Sequence, residues 1–133
     1  MRLFSFEPNA GRPLTQWIDA KGVPHRVDPK TSKVVVSPIF GSESPSRLVC
    51  FHIGKGGFVP RHPTVGPQLF AVVSGSGWVS GDDGVKVPIR TGRAAYWEPG
   101  ESHESGTDEG MLVIVVQGAD FDPAKHMREV KRS

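Results

Sequence analysis

Between Gly56 and Gly75 the chain reads GGFVPRHPTVGPQLFAVVSG, and near residue 100 it reads GESHESG. These two stretches supply two imidazoles, His62 and His103, with a hydroxyl at Thr64 and an amide at Gln68. Imidazole titrates near neutral pH, so either histidine suits acid–base work. It is also a ligand for Zn, Cu, Fe or Ni. Thr64 and Gln68 offer only neutral oxygens, so neither supplies an anionic ligand for a cation. The same two histidines also suit a metal-free cavity, hydrogen-bonded to each other, to water or to Gln68.

Residues two apart in a strand share a face. His62 therefore looks the same way as Thr64, while Gln68, Phe70 and Val72 form a second column. Phe70, two residues beyond Gln68, is the aromatic residue best placed to line a pocket. Leu48, Cys50 and His52 also share one face; if it is the inner one, His52 becomes a third imidazole near His62. Strand alternation puts the Glu101 carboxylate on the same face as His103. Arg61, beside His62, is a candidate for steering an anionic substrate.

The elements that must position these groups are short strands. Gly and Pro number 16 and 12 in 133 residues, punctuation that suits many tight turns and opposes long helices. The expected strands are Arg2–Phe6, Lys33–Val36, Arg47–Ile53, Gln68–Val73, Trp78–Ser80, Val85–Ile89, Ala94–Trp97 and Met111–Val116. A further strand is expected near Leu14–Ile18. Turns are expected at Gly41–Ser46 and at Asp83-Gly84. Asp122 as N-cap and Pro123 at the first helical position predict one short helix within Asp122–Val130.

Hydrophobic residues make up 37% and charged residues 23%, the balance of a globular domain, and the length fits one. Net charge is +2, from 16 basic and 14 acidic side chains, and the charges are scattered. Nothing in them resembles a nucleic-acid footprint. The longest apolar run, Met111–Val116, is too short to span a bilayer. A single cysteine, Cys50, allows no internal disulfide. These features, with no signal-peptide pattern at the start, predict a cytoplasmic protein without nucleic-acid or membrane partners.

The two histidine stretches resemble the two motifs of the cupin superfamily. The first motif's glycines fall on Gly56 and Gly75 and its first histidine on His62, while Thr64 and Gln68 occupy the second histidine and glutamate positions. In the second, Gly92, Gly100 and His103 match, whereas Glu98 and Thr107 replace a proline and an asparagine. The resemblance covers roughly residues 47–117. It implies an all-β fold, a double-stranded β-helix or jelly-roll barrel, with an N-terminal arm and the short C-terminal helix. The expected division is residues 1–32 as arm, 33–120 as barrel and 121–133 as tail. The resemblance also implies that His62, Gln68 and His103 converge inside the barrel, where the family holds a divalent ion such as Fe, Mn, Ni or Zn. On that resemblance the ion binds weakly or not at all, because two ligand positions are Thr64 and Gln68, and Glu101 is placed to stand in for the missing carboxylate. It implies a homodimer as well.

Three functions are open at this point. One is a metal-dependent enzyme of oxygenase or lyase type, acting on a small oxygenated molecule. Another is a metal-free isomerase or dehydratase using His62 and His103. The third is a non-catalytic module that binds a small molecule. The family default is the first.

Overall fold

The computed structural model describes residues 1–19, 21–39, 47–64, 66–118 and 122–132, with the side chains of Trp17 and Ile18 left aside. The chain opens with Arg2–Ser5 (β1), where Leu3 and Phe4 are both buried although they face opposite ways. Arg12–Pro13 (β2), Gln16–Ile18 (β3) and Pro24–Arg26 (β4) follow, then one turn of helix, Pro29–Ser32 (α1), and Val35–Val36 (β5). The barrel continues with Arg47–Ile53 (β6), Phe58–Pro63 (β7), Gln68–Ser80 (β8), Val87–Arg90 (β9), Arg93–Trp97 (β10), Ser102–Gly106 (β11), Met111–Gln117 (β12) and Arg128–Val130 (β13).

β8 organises the barrel. Its first half pairs with β10 and β12, and its second half with β9 and β11, so one 13-residue strand serves both walls. Gly75 marks the crossover. It has φ of +93°, and a Cβ there would run into the Gly110 carbonyl, so only glycine fits. The β12 pairing slips between Leu112 and Val113 at this point, and the extra residue bends the strand. The expected strands Gln68–Val73 and Trp78–Ser80 are thus one bent strand.

Strand alternation then sorts two apolar clusters. Phe70, Val72, Val79, Ile89, Ala95, Trp97, Val113 and Val115 fill the barrel interior. Leu69, Ala71, Ala94, Tyr96 and Val116 point the other way and are covered by Phe4 and Met127.

Pairing divides the chain differently from the expected boundaries. β1 lies between β10 and β13, so residues 2–5 and 128–130 are strands of the main sheet rather than arm and tail. The reason is the burial of both Leu3 and Phe4, which needs cover on both faces. β5 pairs only with β2, so Val35–Val36 lies outside the main sheet. The C-terminal helix shrinks to one 3₁₀ turn, Pro123–Lys125, because Arg128–Val130 is taken by β1. Its start is as expected: the Asp122 side chain accepts from the Ala124 N–H at 3.0 Å. The same Asp-Pro signature opens α1, where Asp28 accepts from the Lys30 N–H. The Asp83-Gly84 turn is present, with Gly84 N–H donating to the Gly81 carbonyl. The expected turn at Gly41–Ser46 lies outside the described residues. Among the described residues no helix is long and apolar enough to cross a membrane.

Candidate functional site

One row of residues runs across four neighbouring strands at one mouth of the barrel. Arg47 of β6 is opposite Gln117 of β12, Gln117 is opposite Gln68 of β8, and Gln68 is opposite Trp97 of β10. Residues directly opposite each other share a face, with Cβ atoms about 5 Å apart. Trp97 is in the interior cluster, so the whole row faces inward. The amides are linked: Gln117 Nε2 donates to Gln68 Oε1 at 3.1 Å. Gln68 is 3% exposed, and among the described residues its only side-chain hydrogen bond is the one accepted by Oε1.

The facing wall supplies the histidines. His62 of β7 is opposite His103 of β11, and their ring centroids are 4.3 Å apart at an angle of 57°. His103 also lies against Trp97, at 4.5 Å and 33°, and Trp97 meets Phe70 edge-on at 5.7 Å. The rings thus form a column from the mouth into the core. Main-chain bonds pin the two segments together beyond the strands: Thr64 N–H donates to the Glu101 carbonyl, and Gly100 N–H to the Thr64 carbonyl.

The two imidazoles differ in state. His62 is exposed, and its Nδ1 lies 2.7 Å from the Pro60 carbonyl oxygen. A carbonyl only accepts, so neutral His62 carries its proton on Nδ1 and leaves a lone pair on Nε2. His103 is 2% exposed, and among the described residues neither ring nitrogen has a hydrogen-bond partner of good geometry. Burial and the adjacent His62 push its pKa below the ordinary value, against a smaller upward pull from Glu101. An unfolded chain takes this proton near the ordinary 6.5, while the folded chain resists it. Folding stability therefore falls as pH drops from 6.5 toward the lower folded value.

A cleft of about 490 Å³ opens at this mouth, lined by Arg47, His62, Thr64, Gln68 and Gln117 with neighbouring Pro and Gly residues. The structure thus brings His62, Thr64 and Gln68 to one cleft, with His103 directly behind His62. Phe70 is not in the cleft wall. It lies one step deeper in β8, in the dry core. Thr64 points its hydroxyl at the Gly66 carbonyl, at 2.6 Å.

Three expectations are corrected. His52 is exposed with Leu48 and Cys50 on the outer face of β6, because Val49, Phe51 and Ile53 take the inner one. Its Nε2 lies 3.7 Å from Cys50 Sγ, away from His62. Glu101 is buried but committed elsewhere: one oxygen meets the Met1 ammonium at 2.7 Å and the other accepts from the Glu98 N–H at 3.1 Å. Arg61 donates to the carbonyls of Gly81 and Asp82 and ties β7 to that turn. The sequence reading passed over Arg47 and Gln117. Gln117 carried a usable signal, since it ends the apolar run and shares parity with Met111, Val113 and Val115.

The donors present do not fit a tight divalent-ion centre. Among the described residues the cleft offers imidazole, amide and hydroxyl but no carboxylate. Gln68 Oε1 already accepts a hydrogen bond, and Glu101 is paired with an ammonium. Among the described residues no group of three or more His, Cys, Asp and Glu side chains is placed to hold a metal ion.

No family model and no curated protein matches the sequence. Solved structures do match in shape. An RmlC-like cupin from Shewanella frigidimarina superposes with a TM-score of 0.51 at 24% identity, over 53% of this chain and 63% of that one. KdgF from a Halomonas species gives 0.51 at 23%, over 58% and 71%. The DMSP lyase DddQ from Ruegeria pomeroyi gives 0.52 at 14%, over 58% and 40%. Bent β8 shared by two walls, the inward rows and these likenesses lead to one conclusion: the chain has the double-stranded β-helix fold of the cupin superfamily.

Proposed function

We propose that the protein is a small-molecule enzyme of isomerase or lyase type, in which His62 moves a proton to or from a substrate held in the mouth cleft. The observation that carries this reading is the Nδ1 contact to Pro60, which fixes the tautomer and leaves Nε2 as a free base on a residue lining the cleft. A base needs that lone pair within reach of the substrate proton. His103 is the buried neutral ring behind it: it braces His62 without competing for the proton, since burial keeps it uncharged at neutral pH. Gln68 and Gln117 supply polar groups that orient a small oxygenated molecule. The barrel interior below excludes water from one side. Solved proteins of the same shape include one named as a lyase, so the fold accommodates such an activity.

The rival is a weak divalent ion held by His62, Gln68 and His103. Hydrogen–deuterium exchange at carbon separates the two, followed by NMR in D₂O with a panel of small hydroxy- and oxo-compounds. The protein is tested with and without a chelator, beside His62→Gln. Exchange that survives chelation and falls about 100-fold or more in His62→Gln supports the proposal. Exchange abolished by the chelator and restored by Fe, Mn, Ni or Zn overturns it for the metal-dependent reading. Binding without exchange for the whole panel overturns it for a non-catalytic binding module.

A further inference from the structure

Resting on that site, we infer that its ligand is a small monocarboxylate whose negative charge is received by Arg47 and the free amide of Gln68. Among the described residues the cleft contains one formal cation and no carboxylate, so none of them compensates its charge. Five arginines elsewhere are committed, Arg2 to Glu129, Arg90 and Arg93 to Glu7, Arg132 to Asp83, and Arg61 to two carbonyls, while Arg12, Arg26 and Arg128 do not line this cleft. Arg47 has no such partner among the described residues. It also sits at the end of the row that contains Gln117 and Gln68, on the inward face of β6.

Gln117 donates to Gln68 Oε1, which orients the Gln68 amide and leaves both of its N–H groups for another oxygen. A buried residue whose amide offers two N–H donors to the cleft, in a row that ends in a guanidinium, suits an anionic oxygen acceptor. One guanidinium with neutral donors matches a single negative charge. A phosphate dianion would find one cation where it needs more. The second cationic cleft, lined by Arg90, Arg93 and Lys131, differs in this respect because Glu7 already lies between its arginines. Glu7 is held at a pKa of about 2, chiefly by its hydrogen bond from Arg90, so it stays charged there.

The test is binding of matched acids and amides, acetate against acetamide and lactate against lactamide, with inorganic phosphate as a third probe. Affinity is read from the side-chain amide NMR signals of Gln68 and Gln117 in the wild type, Arg47→Gln and Arg47→Lys. The expected result is carboxylate binding at least tenfold tighter than amide or phosphate. Arg47→Gln should weaken the carboxylates about 10- to 100-fold, with partial recovery in Arg47→Lys. Equal affinity for acid and amide, unchanged carboxylate affinity in Arg47→Gln, or tighter phosphate binding overturns the inference. Carboxylate binding by wild type and His62→Gln alike, in a protein that catalyses no exchange, leaves this inference standing and removes only the proton-transfer reading.

Discussion

Two adjacent rows of the barrel interior have opposite characters. The rim row runs Arg47, Gln117, Gln68, Trp97; the row beneath it, two residues away in every strand, runs Val49, Val115, Phe70, Ala95, Leu3. The backbone pattern is the same in both, and the pairing registers are continuous. Only side-chain type changes, from a cation, two amides and an indole to a wholly apolar floor. The lower row holds the barrel together through burial: Val115 and Ala95 are fully buried and Phe70 is 1% exposed. The upper row buries an amide that contributes little to folding, since a made hydrogen bond nets only about 1 kcal/mol after the loss of water. That placement is what a binding site looks like, and it separates the residues that make the fold from those that give the fold a use.

The largest expected effect comes from breaking the floor. Phe70→Ala leaves a cavity against Trp97 and Val115 and should cost about 3–5 kcal/mol in chemical denaturation. A cost near zero would mean the interior is not the packed core described. The smallest effect belongs to the rim. Gln68→Met with Gln117→Met replaces both members of a hydrogen-bonded pair with apolar groups of similar size, so stability should change by less than about 1 kcal/mol. Carboxylate binding should nevertheless be lost. Destabilisation comparable to Phe70→Ala would make the amide pair structural and erase the distinction between the rows.

Much of this contrast was legible in the sequence. The resemblance carried by Gly56, His62, Gly75, Gly92, Gly100 and His103 implied the barrel, and strand parity placed Gln68, Phe70 and Val72 in one column. What failed did so for identifiable reasons. In β6 both faces carry apolar residues, Leu48 and Cys50 on one and Val49, Phe51 and Ile53 on the other, so alternation alone did not say which way His52 turns. Glu101 stands two residues from His103, but its partner is the chain's first residue, a contact no local pattern encodes. Arg61 is likewise claimed by carbonyls about twenty residues away. Arg47 acquires meaning only from the registers that align it with Gln117 and Gln68, and a register is a property of the sheet.

The claim on which the rest depends is that two imidazoles meet at one mouth in unlike states, one sealed and uncharged, the other with a fixed tautomer and a free nitrogen. Ring-nitrogen NMR of histidine-labelled protein across pH, assigned with His62→Gln and His103→Gln, reads this directly. The account predicts that His103 is neutral at pH 7 and takes its proton only below the ordinary 6.5, and that neutral His62 carries its hydrogen on Nδ1. A His103 that charges at or above 6.5, or a His62 protonated on Nε2, would contradict it.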